Sequence, residues 1–359
     1  MPRPGRPPPG ELLTTQTSVV HDLGTLAHRL SHPARTPCVC EPPQVLADRP
    51  DGTVVRSGTI VAKAHAADTD REALAARIAL AAAPPLAGIL LPPLPAPAPA
   101  APTARPVTLW PLGAPVDPTD PGAAPWAEAA DLLARLHRTK PPFPLPPMRG
   151  PAKAARAVAR MRAALRAGTT ALPGVPAALS DDVTAPPRVP AVEPRDPAAL
   201  SVLAGWRALP PWARGEVPVP AQRGGFLCHG DLHLGQLVRH PAPDGPWLLI
   251  DMDDAGVGDP AWDLGRPAAW YAAGLLAPED WSVFLDAYRS AGGPAVPADG
   301  DPWPALDVPA RALTVQTAAV ALAKCAAEQR DPDEHEQLMI ESCARIATLP
   351  PELATGPAS

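Results

Sequence analysis

The sequence predicts an α+β fold in two parts: a small N-terminal lobe built on an antiparallel sheet, then a larger, mainly helical C-terminal lobe. Two observations carry this. Residues 44–65, QVLADRPDGTVVRSGTIVAKAH, hold three short β-branched runs separated by Asp51-Gly52 and Ser57-Gly58, dipeptides that reverse a chain between strands. After Gly113, by contrast, apolar residues recur at helical spacing in one segment after another.

Taken in order, residues 1–12 read as disordered and residues 13–37 as a weak helical pattern around Leu23, Leu26 and Leu30, so residues 1–37 form a partly disordered extension. Residues 38–112 form the small lobe. Its three-stranded meander is followed by a helix in DTDREALAARIALAAA, with Leu74, Ile78 and Ala81 or Ala82 on one face, and by a final strand in RPVTLWPLG. Residues 113–349 form the helical lobe, from PWAEAADLLARLHRT through PAKAARAVARMRAALRAG, closed by a glycine suited to a left-handed cap, to EHEQLMIESCARIATL. Within it, residues 171–195 read as loop, and GGFLCHGDLHLGQLVRH and GPWLLIDMDDAG as short apolar segments flanking polar loops; residues 350–359 read as a disordered tail.

Composition narrows the functional classes. A formal net charge of -6 with 31 scattered basic residues leaves no Lys/Arg-rich face to replace phosphate counterions, which excludes a duplex nucleic-acid binder. The 56 prolines indicate long loops, while nine tryptophans and recurrent aliphatic runs supply a core. The cysteines at 38, 40, 228, 325 and 343 have no C-x-x-C spacing, which argues against a disulfide scaffold or structural zinc. No apolar segment follows the N-terminal arginines, and prolines interrupt the long uncharged stretch 78–104, so a soluble, cytoplasmic protein without a membrane span is expected. Nothing in the pattern specifies an oligomeric state.

The chemistry concentrates in FLCHGDLHLGQLV, residues 226–238, where His229, Asp231 and Gln236 are spaced H-x-D-x-x-x-x-Q. Fifteen residues past Gln236 the apolar run WLLI delivers Asp251, where a buried charge needs a metal or donors to offset its desolvation. A carboxylate that orients an acceptor hydroxyl, together with two oxygen ligands for magnesium, is the set that phosphoryl transfer requires. Asp231 fits the first part, Gln236 and Asp251 the second.

HGDLHLGQ followed by LLIDMDDAGVGDPAWDLG resembles the aminoglycoside phosphotransferase branch of the protein-kinase-like fold. That family's catalytic loop reads H-G-D-x-x-x-x-N and its metal segment I-D-x-x-x-x-x-x-G-D-P-x-x-D-L-A. LLARLH, residues 132–137, resembles the helix before the catalytic region, and TIVAKAH the strand that carries the ATP lysine. HGDLHLGQ is also similar to the catalytic loop of maltokinases. The resemblance implies a protein-kinase-like fold, nucleotide binding by the small lobe, and ATP and Mg2+ as cofactors. The implied partner is a small hydroxyl-bearing substrate, aminoglycoside-like or sugar-like. It implies Asp231 as the catalytic carboxylate, Gln236 and Asp251 as metal ligands, Lys63 on the phosphates with Glu72 as its partner, and TLWPLG with Trp110 as the connecting segment whose backbone reads adenine. His229, Asp259 and Asp263 are implied as structural supports. Two departures stand out: Gln236 replaces Asn, and no G-x-G-x-x-G covers the phosphates, only DRPDGT at a hairpin.

Simpler readings stand beside these. Thr69-x-x-Glu72 is also a capping box, and Asp259 precedes Pro260, where a helix N-cap belongs. Asp253 and Asp254 suit a cationic substrate or plain solvent equally. H-x-D-x-H at 229–233 suggests metal ligation, and GDLHLG resembles one metallophosphoesterase block, although the companion blocks of that family are missing from the sequence. Gln236 and the absent glycine-rich loop also motivate a catalytically silent binding module on the same fold.

Overall fold

The structure, a computed structural model, describes residues 9–32, 40–49, 51–95, 105–170 and 196–349. The disorder expected at 1–8 and 350–359 and the loop expected at 171–195 lie outside the described residues. In chain order the elements are α1 (Pro9–Ser31), β1 (Gln44–Arg49), β2 (Gly52–Ser57), β3 (Ile60–His65), α2 (Arg71–Ala81), β4 (Val107–Pro111), β5 (Ala114–Pro115), α3 (Trp126–Arg138), α4 (Gly150–Thr170) and α5 (Pro197–Ala208). They continue with β6 (Phe226–Cys228), β7 (Leu237–Arg239), β8 (Trp247–Leu249), β9 (Gly256–Gly258), α6 (Ala261–Ala273), α7 (Pro278–Ser290), α8 (Trp303–Glu328) and α9 (Glu334–Thr348). No helix among the described residues is long and apolar enough to cross a membrane.

The chain forms two compact units, one comprising Met1–Leu132, Pro141–Pro146 and Leu234–Asp253, the other Leu133–Lys140, Pro147–His233 and Asp254–Ser359. This differs from a division at residue 112. The chain returns to the first unit because β7 pairs with both β5 and β8, and because Leu91 N–H donates to the Leu249 carbonyl and Leu249 N–H to the Ile89 carbonyl, each at 2.9 Å. Strand edges need partners, and these are supplied from more than a hundred residues downstream.

In the first unit β1, β2, β3 and β4 form an antiparallel meander, with Ser57 opposite Ile60 at the turn between β2 and β3. Side chains alternate across the sheet, so Val55, Ala62 and Ala64 face one way and pack under Val19, Leu23, Leu26 and Ala27 of α1. The extension is therefore part of this unit, and its helix begins at Pro9, inside the stretch the sequence reads as disordered. Lys63 points to the other face, opposite Val54 on β2 and Thr108 on β4. A second cluster places Trp110 and Ile250 against Leu91, Val238 and Leu248.

In the second unit α4 and α6 pack on α8, and α5 and α8 on α9. Met161, Val202, Leu203, Trp262, Leu313, Val315 and Cys343 fill that core. A two-stranded ribbon of β6 and β9, with Cys228 opposite Gly256, carries the loop that starts at His229.

Candidate active site

In the first unit Lys63 makes ion pairs with Asp251 at 2.6 Å and Asp253 at 2.9 Å. Burial by itself would lower the lysine's pKa, but the two carboxylates outweigh it and hold it well above the ordinary value, so the ammonium stays charged. Asp253 also meets His65 Nδ1 at 3.1 Å, and His65 Nε2 meets Thr108 Oγ1 at 2.9 Å. Although burial opposes ionisation of Asp253, its bonds to His65 and Lys63 keep its carboxyl far below the usual range. Asp251 has φ 62°, a left-handed conformation that Asp tolerates better than most residues. Gln236 Nε2 lies 3.4 Å from Asp251 Oδ2; turning the amide over brings its oxygen to the same place. The donor set is then carboxylate and amide oxygen, which suits a hard divalent cation such as Mg2+.

In the second unit Asp231 is held by two cations: Lys153 Nζ at 2.5 Å from Oδ2 and Arg266 Nη2 at 2.6 Å from Oδ1. Burial raises its pKa, but Arg266 and Lys153 together hold it below the ordinary carboxylate value, so the carboxylate is ionised at neutral pH. Lys153 also bonds Asp254 at 2.7 Å. Here too burial pulls down, while Asp254 and Asp231 win and raise the lysine's pKa. His233, on the same loop, is driven down to about 4 by burial and by Arg266, so it is neutral at physiological pH.

The loop is held from behind by Asp263. Its Oδ2 accepts from the His229 backbone N–H and its Oδ1 from the Gly230 N–H, both at 2.7 Å. His137 Nε2 reaches Oδ2 at 3.0 Å, and its Nδ1 meets the Tyr288 hydroxyl at 2.7 Å. A carboxylate only accepts, so Nε2 donates to it. Gly230 has φ 87°, and a Cβ there would run into the Asp254 carbonyl, so only glycine lets the loop pass. His137, Cys228 and Asp263 bring ligand-type atoms together. The Asp263 oxygens and both His137 nitrogens are already engaged in hydrogen bonds, so the cluster is a brace and not a metal cage.

Of the residues singled out in the sequence, Lys63, Gln236 and Asp251 come together in the first unit, and Asp231, His229 and Asp263 in the second. Asp259 Oδ1 accepts from the Ala261 N–H at 3.0 Å, at the start of α6, and Arg223 stands 3.4 Å from its other oxygen. Trp110 donates to Thr108 Oγ1 at 3.0 Å and otherwise packs against apolar neighbours. Glu72 is a correction: it is exposed at the start of α2, and Lys63 takes its carboxylates from Asp251 and Asp253 instead. The capping box is corrected as well, because the N-cap is Asp70, whose side chain accepts from the Glu72 and Ala73 N–H groups. Lys153, Arg266 and His65 were not singled out in the sequence. One signal did exist, because Lys153 is one of only four lysines in the chain.

Three solved structures bear on the fold. The chain is similar to the crystal structure of choline kinase LicA from Streptococcus pneumoniae (12% identity, 93% of this chain and 99% of that one, TM-score 0.50). It is similar in the same way to choline kinase from Cryptosporidium parvum Iowa II (12% identity, 88% and 90%, TM-score 0.51). A thermostable mutant of aminoglycoside phosphotransferase APH(4)-Ia, in a ternary complex with AMP-PNP and hygromycin B, matches at 14% identity over 92% and 98% with a TM-score of 0.50. These likenesses show a protein-kinase-like fold. No curated protein sequence matches the chain. The model of the phosphotransferase enzyme family (APH) matches residues 51–303, well over half the chain, and the chain belongs to that family.

Proposed function

We propose that the chain is an ATP-dependent kinase of a small molecule, transferring the γ-phosphoryl group to a substrate hydroxyl. The observation that carries this reading is Asp231, an ionised carboxylate 14% exposed, on a loop fixed by Asp263 through two backbone N–H groups. A carboxylate is too weak a base to ionise an alcohol outright. In a largely dissociative transfer it needs only to orient the hydroxyl and accept its proton late.

Lys63 supplies the phosphate-directed charge. Asp251 and Asp253 occupy two of its three N–H donors, which leaves one for an incoming oxygen. Gln236 and Asp251 would hold Mg2+, which when bound neutralises charge on the nucleotide phosphates. An acceptor of aminoglycoside or amino-alcohol type is supported by the names of the similar solved structures, and a sugar-like acceptor by the resemblance of HGDLHLGQ to the maltokinase loop. A cytoplasmic location fits an ATP user whose Cys228, Cys325 and Cys343 are not joined in disulfides.

The test is ADP release from MgATP with a panel of aminoglycosides, sugars and choline, run on the wild type and on Asp231→Asn. The variant is expected to lose at least about a hundredfold in turnover while keeping the thermal shift that MgATP produces. Turnover retained by Asp231→Asn removes the assigned role, and a wild type that shows neither a MgATP shift nor ADP release removes the function.

A further inference from the structure

We infer that Lys153 on α4 is a positioning residue for Asp231: bridged to Asp254, its ammonium fixes the rotamer and the charge of the carboxylate that receives the acceptor's proton. The inference rests on the reading of Asp231 given above. It concerns a residue outside the loop and metal-segment motifs.

The geometry is confined to the second unit. Each Asp231 oxygen has its own cation, Oδ2 with Lys153 and Oδ1 with Arg266. The two cations are anchored differently. Arg266 also donates from Nε to the Leu232 carbonyl at 3.2 Å, so it is tied to the same loop that it steadies. Lys153 comes from an independent element. The chain entering α4 is fastened to the β9 segment, with Met148 N–H on the Val257 carbonyl at 3.0 Å and Arg149 N–H on the Asp254 carbonyl at 2.9 Å. Lys153 follows one turn later and spans Asp231 and Asp254. It therefore ties Asp231 of the catalytic loop to Asp254 at the start of the metal-segment ribbon, by a side-chain route beside the β6–β9 backbone pairing.

The charges facing Asp231 are Lys153 from α4, Arg266 from α6, His233 from its own loop and Asp254 from the turn before β9; Arg149 stands 3.7 Å from Asp254. His233 is neutral near pH 7. Asp231 and Asp254 thus balance Lys153 and Arg266. Removing the lysine takes away one cation and leaves Asp254 less neutralised, and both changes raise the proton affinity of Asp231. In the transfer step the acceptor O–P bond forms as the bond to ADP breaks, and the hydroxyl proton passes to Asp231 and later to water. A carboxylate that is already protonated cannot take that proton. Its folded pKa lies below the free value, so activity that depends on it is present above that pKa and lost as pH falls through it. In the absence of Lys153 the loss occurs at higher pH.

The experiment uses the full chain with MgATP as the probe. Carboxyl 13C NMR follows Asp231, assigned by its disappearance in Asp231→Asn, through a pH titration of the wild type, Lys153→Met and Lys153→Arg. ADP release is measured in parallel over the same pH range with the acceptor panel and with water alone. Met keeps the length and apolar stem of lysine, and a thermal melt establishes that each variant is folded. For Lys153→Met the midpoint of Asp231 is expected to rise by about one to three units, kcat to fall about tenfold or more on the acid side, and KM for ATP to change less than twofold. Lys153→Arg is expected to restore most of the wild-type profile. A folded Lys153→Met whose Asp231 midpoint and acid limb stay in place overturns the inference, as does a shifted midpoint with unchanged kcat. Full turnover in Asp231→Asn, or no turnover by the wild type, instead overturns the reading of Asp231 itself.

Discussion

Asp251 combines two demands at one residue: its φ is 62°, and its carboxylate pairs with Lys63. The substitutions Asp251→Asn and Asp251→Ala separate them. Asn tolerates the left-handed conformation, whereas a residue without a short polar side chain pays about 1–2 kcal/mol for it. Denaturant unfolding is expected to show Asp251→Ala less stable than Asp251→Asn by about 1 kcal/mol, while both lose the thermal shift given by MgATP. Equal stabilities would show that the backbone strain is not borne by this residue. Asp231, Gln236 and Asp251 were marked by motif spacing because fixed intervals in the chain carry chemical meaning. Lys153 was not, since a lysine in an alanine- and arginine-rich helix looks like a solvated face, and its partner Asp231 is 78 positions away. The capping box was misread for a local reason: Asp70 directly follows Thr69, and its carboxylate caps the Glu72 and Ala73 N–H groups.

At the level of elements, β-branched runs and turn dipeptides located β1, β2 and β3; β2 and β3 alternate in burial with the period of two that a half-buried sheet imposes, whereas β1 is almost wholly exposed. The α2 helix was legible as a helix and its inner face in part, since Leu74 and Ala81 are buried as expected. Arg77 is buried beside Leu74 and Leu80, while Ile78 is only partly covered, so the apolar stripe misjudged the rotation. The α1 helix gave a faint signal because much of its partner surface is small: Ala62 and Ala64 on β3 let a helix approach closely without a strong apolar stripe of its own. Leu23 is fully buried there. Leu23→Ala is expected to destabilise the protein by about 2–5 kcal/mol, read by urea unfolding, with no change in turnover measured well below the melting temperature. A cost under about 0.5 kcal/mol would mean that α1 is not part of the folded core.

At the scale of the whole molecule, the fold class was legible as sheet followed by helices, and the partition of the chain was not. Strand pairing across long sequence separations leaves no local pattern, so nothing before residue 132 announces that residues 234–253 complete the first unit. A fragment ending at Arg138 lacks β7 and β8, and with them the partners of β5 and Leu91. It is expected to show weak, non-cooperative thermal unfolding by circular dichroism, whereas the full chain melts cooperatively; a cooperative melt for the fragment would contradict the interleaved partition. The turn Met252–Asp254 has a further consequence for amine chemistry. Its adjacent carboxylates, Asp253 and Asp254, serve different lysines, Lys63 and Lys153, and each of these is also gripped by a second carboxylate. Both ammonium groups are thereby kept protonated, while Lys140 and Lys324, the other two lysines of the chain, are exposed. An acylating reagent at mildly alkaline pH should therefore modify Lys140 and Lys324 first, as read by peptide mass spectrometry, and acylation at Lys63 or Lys153 becomes a reporter that its carboxylate grip has opened.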